Sequence, residues 1–387
     1  MNINIEMFDK EPIENIITCL HFKMDKVIFF GQDDVMTDEA KAITKKALIE
    51  KCKVSDVSFV ELSMKSIDRV LSVLTDTVMR EEKNGGRCFL DLTGGGEMVL
   101  VAMGMYAATH KIPMHRYDVA RDELILLNAK DISIEAFAEK RDVPLSIDDL
   151  IWLQGGAVDY AMQKESKENL ELDNFQRDAE AIWQIAKGNM RRWNAFSAVL
   201  KACKSTVESM LEEALDIEKV TAQVDKNSAF SEGKKFTDYL TALETAKVIE
   251  NLVTDSTHIR FRYKNSRIRG CLLEAGSVLE LHTYFERKDS GLYADCRIGI
   301  HLKWGMNSSD GGAIVNNEID VLALRGYCLT FVSCKGGAVD QMALYELDTV
   351  AERFGGKYAK KELVTAGFLD RHHEKRAEEM DISVTKV

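Results

Sequence analysis

Four short apolar runs open the chain: NINIEMF (2–8), KVIFFG (26–31), VSFVELS (57–63) and RCFLDL (87–92). Each is rich in β-branched or aromatic residues. Between them lie EPIENIITCLHF, DEAKAITKKALIEK and SIDRVLSVLTDTVMREEK, whose apolar residues recur at helical spacing, and a further strand-like run, PMHRYDV (113–119), follows another helix. Strand, helix, strand at this spacing predicts right-handed crossovers and a mostly parallel sheet covered on both faces. The first unit therefore reads as a Rossmann-like domain. Its ligands are expected beyond the carboxyl ends of the strands, at the loops GQDD and TGGGE that follow KVIFF and RCFLDL.

From about 160 to 255 the pattern turns helical. QRDAEAIWQIAKGNMRRWNAFSAVLKACKSTVESMLEEALDIE has apolar residues three and four apart and no proline. Beyond 256, short strands are expected at HIRFRY, RIRGCL, YADCRIGIHLKW, EIDVLAL and CLTFVSC, around a helix at about 273–286. The expected architecture is α/β: a Rossmann-like domain over 1–160, a helical linker or dimerisation region over 161–255, and a second α/β domain over 256–387.

Composition narrows the function classes. A chain of 387 residues with 45% hydrophobic content buries a large core and has room for two or three domains. Its longest apolar run, around MVLVAMGMYAA, is too short to span a bilayer, and MNINIEMFDK lacks the basic and apolar regions of a secretion signal. The expectation is a soluble cytoplasmic protein with no membrane partner. Eight cysteines without a C-x-x-C pair read as reduced core residues, which argues against redox chemistry and a zinc framework. The net charge of −12 argues against non-specific coating of nucleic acid, yet residues 257–387 carry +1 and the rest −13, so contact with a polyanion belongs to the last third.

In RCFLDLTGGGEMVLVAMGMYAA the strand runs into Thr93, Gly94, Gly95 and Gly96, and a helix starts near Glu97 and Met98. Such a loop can offer backbone N–H groups and a helix N-terminus to a phosphate without any basic side chain. It is neither G-x-x-x-x-G-K-[ST] nor G-x-G-x-x-G, so nucleoside triphosphate hydrolysis is not implied. A strand-to-helix turn with no ligand explains the glycines equally. Gly31, Gln32 and Asp33 end the second strand at the same edge, as ligand contacts or as a polar helix cap.

NEIDVLALRGYCLTFVSCK (317–335) places Glu318, Asp320 and Lys335 inside apolar runs. With Arg325-Gly326 as a two-residue turn, Asp320 faces Phe331 and Glu318 faces Ser333, so Glu318, Asp320, Ser333 and Lys335 share one side of the sheet. Such charges are costly to bury unless they pair or bind a cation. A divalent metal on Asp320 and a second carboxylate, Glu280 or Glu318, beside Lys335 suits phosphodiester hydrolysis: the metal polarises the phosphate and Lys335 stabilises the growing charge. A buried acid–lysine salt bridge is the alternative. HIRFRYKNSRIRG (258–270) adds Arg260, Arg262, Lys264, Arg267 and Arg269, read as a hairpin whose guanidinium face grips nucleic acid or is merely solvated. His282 and His301 read as hydrogen-bonded structural residues.

E280 on a helix followed by NEID and SCK on two strands resembles the PD-(D/E)xK nucleases, and DLTGGGE after a Rossmann strand resembles the CARF domains that sense cyclic oligoadenylate in type III CRISPR defence. Together, with EPIENI and KVIFFG near the start and RFGGKYAK and RAEEMDI near the end, they resemble the CRISPR ancillary nucleases that join a CARF sensor to a restriction-endonuclease-like domain. The resemblance implies Asp320 as motif aspartate, Lys335 as motif lysine and Glu280 as the acid on the preceding helix, with Mn2+ or Mg2+ as cofactor. It implies a homodimer sharing one cyclic tetra-adenylate at the loops 31–33 and 93–98, and DNA or RNA as substrate. Two positions depart from the family. Glu97 stands where CARF domains often have lysine, and Ser333 stands where a carboxylate is expected, a charge that Glu318 could supply. The readings carried forward are an activated nuclease, a constitutive nuclease, and a catalytically decayed nucleotide-sensing module.

Overall fold

In the first third of the chain every foreseen strand forms. The computed structural model describes residues 1–62, 66–127, 134–136, 138–162, 174–204, 211–304 and 316–387. In chain order the first unit comprises β1 (Asn2–Met7), α1 (Ile17–His21), β2 (Lys26–Gly31), α2 (Asp38–Glu50), β3 (Asp56–Glu61), α3 (Ile67–Lys83), β4 (Arg87–Asp91), α4 (Glu97–His110), β5 (Met114–Asp118) and β6 (Glu123–Leu126). The sheet order is β3-β2-β1-β4-β5-β6, parallel except for the last pair. Strand order reverses at β1, which has β2 on one side and β4 on the other, so the crevice of this sheet opens beyond the ends of β1 and β4. Thr37 and Ser66 cap α2 and α3 by accepting the N–H of Ala40 and Arg69. Gly96, which caps α4, has no side chain to do the same.

Then come α5 (Ile147–Leu153), β7 (Ala157–Val158), α6 (Phe175–Ala186), α7 (Met190–Cys203), β8 (Glu212–Asp216), α8 (Ile217–Asp225), α9 (Phe236–Thr245), β9 (Ile249–Thr254), β10 (His258–Tyr263) and α10 (Ser266–Leu273). The stretch expected to be helical thus also contains strands. β8, β10 and β9 form an antiparallel sheet in that order, which with α7, α8 and α9 gives the connectivity of a winged helix. HIRFRY belongs to this sheet rather than to the C-terminal one. RIRGCL, expected as a strand, is helical because Asn265 caps it by accepting the Ile268 N–H at 3.0 Å.

The last unit comprises α11 (Ser277–Asp289), β11 (Asp295–Lys303), β12 (Asn316–Arg325), β13 (Cys328–Lys335), α12 (Gln341–Gly355), β14 (Lys360–Thr365), α13 (Arg371–Glu379) and β15 (Ile382–Lys386). Its sheet runs β15-β14-β13-β12-β11-β7. The hairpin turn is Gly326-Tyr327, since Arg325 pairs with Cys328, so the register lies two residues from the expected one. Gly326, at φ +56°, supplies the positive φ needed at the first central position.

Phe8, Phe29 and Leu48 of the first unit share one apolar cluster with Ile300, Phe331 and Phe354 of the last. The opposite face of the C-terminal sheet, with Val321 and Val332, packs with Trp193 and Tyr239 of the middle unit and Leu279 of α11. All eight cysteines are free, and seven of them are buried. Among the described residues, no helix is long and apolar enough to cross a membrane.

Candidate functional site

At the crevice of the first sheet, β4 ends in Asp91, a fully buried carboxylate. Burial works against its charge, but His115, Thr18 and Thr93 overcome that and hold the carboxyl down at about 2. Thr93 donates its N–H to Asp91 at 2.9 Å, and its hydroxyl accepts the Tyr117 N–H at 2.9 Å, so Thr93 sets the turn. Gly94 lies so close to Asp9 that an added Cβ would sit 2.8 Å from the aspartate Cβ, and Gly95, at φ +111°, would collide with Met7. Gly95 donates its N–H to Asp9 Oδ2 at 2.7 Å.

These turns leave a cavity of about 460 Å³ lined by Met7 to Lys10, Gln32, Val35 and Gly95 to Val99. Of the candidate ligand residues, Gln32, Gly95, Gly96, Glu97 and Met98 line it. Gly31, Asp33, Thr93 and Gly94 do not; Gly31 lies against Met36, where an added Cβ would meet its side chain at 2.7 Å. Met7, Phe8, Asp9 and Lys10 went unnoticed in the sequence, although a central β1 puts its own carboxyl end in the crevice. Lys10 is the cationic side chain of this wall.

In the C-terminal sheet, the β12–β13 ladder runs from Arg325–Cys328 to Val321–Val332, and the next residue, Asp320, extends it with its side chain. Asp320 Oδ2 accepts the Cys334 N–H at 2.6 Å and lies 3.4 Å from the Ser333 hydroxyl that donates to it. Burial raises the Asp320 carboxyl; the Cys334 N–H and Lys335 oppose this, and Glu318 adds to it. Ser333 thus serves Asp320, and the expected facing of Ser333 by Glu318 does not occur. Glu318 instead pairs across β11 with His301, whose Nε2 lies 3.8 Å from Glu318 Oε2.

Strict alternation along β12 also breaks here. Ile319 joins the cluster shared with the first unit while Val321 joins that of the middle unit, although they are two residues apart. The break lies at Asp320, alongside Gly299 of β11, which has φ +57°. Proximity of the acids to Lys335 therefore comes from a local break in the sheet and not from period two alone. Glu280 on α11 and Glu318 line a cavity of about 290 Å³ with Arg267, Gly270 and Gly299. The buried Cys334 thiol is pushed well up by burial, with Asp320 and Glu280 both adding to the effect, which puts the two carboxylates within electrostatic reach of one point. Lys335 is half-buried and forms no ion pair among the described residues. No group of three or more His, Cys, Asp or Glu arranged to hold a metal ion is found among the described residues.

The basic run does not form one face. Arg260 pairs with Asp255, and Lys264 with the buried Asp178 at 2.6 Å. Arg262 stands between Glu212 and Glu250 in the register of its neighbours, and Arg269 lies over the Tyr263 ring. Arg267 alone of the five lines the cavity with Glu280 and Glu318.

This arrangement of three units recurs in solved structures. Protein VC1899 from Vibrio cholerae aligns with a TM-score of 0.72 at 17% identity, over 100% of this chain and 94% of that one. Can2 from Sulfobacillus thermosulfidooxidans, solved in complex with cyclic tetra-adenylate, aligns with a TM-score of 0.64 at 16% identity, over 99% of this chain and 93% of that one. The chain has their fold. No protein-family model matches the sequence. No curated protein matches it. The alignments cover the first unit and the C-terminal sheet alike, over nearly the whole chain.

Proposed function

We propose that this chain is a nuclease activated by cyclic oligoadenylate, cyclic tetra-adenylate in particular, and dependent on a divalent metal, acting on DNA or RNA in type III CRISPR defence. The observation that carries this is the Asp320 carboxylate, fixed by a backbone N–H at the break in the sheet and flanked by Glu318 and by the ammonium of Lys335, which forms no ion pair among the described residues. The fold is that of a protein solved with cyclic tetra-adenylate, which supports the ligand half of the reading.

The oxygen chemistry of these side chains suits Mg2+ or Mn2+, although among the described residues no three of them are arranged around one point. Glu280, Glu318 and Asp320 offer oxygens, which hard cations select, and Asp320 Oδ1 makes no hydrogen bond among the described residues while Oδ2 is engaged. When bound there, the cation supplies Lewis-acid charge to a phosphate oxygen. Ser333 and the Cys334 N–H hold Asp320 in one orientation, and Lys335 carries positive charge toward the phosphate.

On the first unit, the N–H groups at Gly95 and the uncapped start of α4 suit a phosphate of the ring. Met98, Val101 and Met105 are 44%, 53% and 51% exposed at helical spacing on α4, a self-complementary stripe next to the cavity that supports a two-fold homodimer with both cavities on one ring. Activation follows a direct path between units. Asp9 holds both Gly95 and the Glu11 N–H, and Glu11 accepts the Lys357 N–H at 2.8 Å just before β14, which pairs with β13 at Ser333 and Lys335. A phosphate that takes the Gly95 N–H releases Asp9 and shifts this chain of bonds.

Titration calorimetry with cyclic tetra-adenylate is expected to give one ring per two chains; absence of binding sinks the sensor half. Cleavage is expected to stop with a chelator and return with Mn2+, and chelator-resistant cleavage sinks the metal half.

A further inference from the structure

Arg267, which lines the cavity of the proposed nuclease carboxylates, has a guanidinium nitrogen, Nη1, without a hydrogen-bond partner among the described residues. A guanidinium N–H left unmade costs free energy, so its presence at this place is a sign of a missing acceptor. Glu318 lines the same cavity. His301 Nε2 is 3.8 Å from Glu318, and Arg267 lines the cavity with Glu318 and Glu280.

Arg267 is held there by construction. The Asn265 cap starts α10 immediately before it, and the buried Ile268, Cys271 and Leu272 anchor the same helix in the core. Its guanidinium lies 5.7 Å from the centre of the Phe175 ring, which supports the planar group from one side. The walls around it leave room. A Cβ at Gly270 would meet nothing within 4 Å, and one at Gly299 would meet only Glu318 Oε1, at 4.0 Å. A structural counter-ion would close on Glu280, Glu318 or Glu274, the acids of this cavity, yet Arg267 forms no ion pair among the described residues.

We propose that Arg267 is a catalytic residue whose guanidinium takes a non-bridging oxygen of the scissile phosphodiester in this cavity. The proposal rests on the nuclease reading and gives it a residue that the PD-(D/E)xK pattern does not name. A fork of fixed N–H donors matches two phosphate oxygens, and Arg267 brings that fork to a wall of the cavity it shares with Glu280 and Glu318. In the reaction, the oxygen of water bonds to phosphorus, the bond from phosphorus to the leaving sugar oxygen breaks, and that oxygen ends as a hydroxyl with a proton from the water consumed. Arg267 moves no proton. It holds charge on the non-bridging oxygens, which is larger in the transition state than in the bound substrate, so its loss falls on kcat more than on KM.

The test is steady-state cleavage of a labelled oligonucleotide with Mn2+ and cyclic tetra-adenylate by wild type, Lys335→Ala, Arg267→Gln and Arg267→Lys, with melting temperatures measured alongside. Arg267→Gln is expected to lose about a hundredfold in kcat with KM within about threefold, and Arg267→Lys to fall between it and wild type. Guanidinium ion at low millimolar concentration is expected to restore part of the Arg267→Gln rate and none of the Lys335→Ala rate. A wild type that cuts beside an Arg267→Gln that cuts equally well overturns the inference and leaves the nuclease reading standing. So does a loss that follows the melting temperature and is not rescued by guanidinium. A wild type that cuts nothing overturns both.

Discussion

Asp320 is pulled between stability and function. Burial raises its carboxyl in the folded chain above the value it has when unfolded, so the folded state holds this proton more tightly. Stability from this group is therefore greatest at acid pH and falls as pH rises through the window between the unfolded and folded values, because the folded state must then carry a costly buried charge. Asp320→Asn keeps an acceptor for the Cys334 N–H and removes that charge. The melting temperature of Asp320→Asn relative to wild type is expected to climb between pH 4 and pH 7 while cleavage is lost; a difference that stays flat or falls contradicts the assignment. Asp320 and Lys335 stand out in the sequence as an acid and a lysine inside apolar runs, whereas Glu280 is proposed from its helix before the strand pair and from the resemblance. Arg267 was legible only as one of five basic residues, since its separation from the others depends on a helix that the alternating R-I-R spelling disguised as a strand. His301 was read as a hydrogen-bonded residue, whereas its Nε2 has no such partner among the described residues.

Among the elements, β11 and β12 decide how the acids meet. Gly299 at φ +57° lies where the two neighbours of Asp320, Ile319 and Val321, turn to opposite sides of the sheet. Gly299→Ala forces a side chain into a left-handed conformation and is expected to cost about 1–2 kcal/mol in urea unfolding, together with a loss of cleavage. Unchanged stability and activity would show that the break does not depend on this backbone. The parallel strands of the first unit could be read almost to the residue because each is a short apolar run bounded by polar turns. The β12–β13 register could not, because Arg325-Gly326 and Gly326-Tyr327 are both credible turns in the sequence and only the positive φ of Gly326 at the first central position separates them. Strands in the middle unit escaped notice for a similar reason. Glu212–Asp216 and Ile249–Thr254 carry acids and polar residues that suit a helix end as well as an edge strand.

For the whole molecule, the first unit and the C-terminal sheet share one apolar core, so on the proposed reading a change at the first reaches the second without passing through the middle unit. Glu11 lies at that contact. It accepts the Lys357 N–H at 2.8 Å and the Gln154 amide at 2.6 Å, while neighbouring Glu14 pairs with Lys357 Nζ at 2.6 Å and accepts the Tyr358 hydroxyl. Glu11→Ala is expected to bind cyclic tetra-adenylate within about threefold of wild type yet to need about tenfold more of it for half-maximal cleavage, a coupling loss of about 1.4 kcal/mol. Equal losses in binding and activation would mean that Glu11 only supports the cavity. This shared core was not legible in the sequence, because long-range packing between distant apolar residues leaves no local pattern.

On the proposed reading one chain senses a cyclic nucleotide and cuts nucleic acid in response. Its most direct test is cleavage of single-stranded and double-stranded DNA and RNA with Mn2+, with and without cyclic tetra-adenylate, by wild type and Lys335→Ala. The account predicts cleavage that requires both the activator and Lys335. Cleavage indifferent to the activator, or no cleavage by a chain that still binds it, would contradict the account.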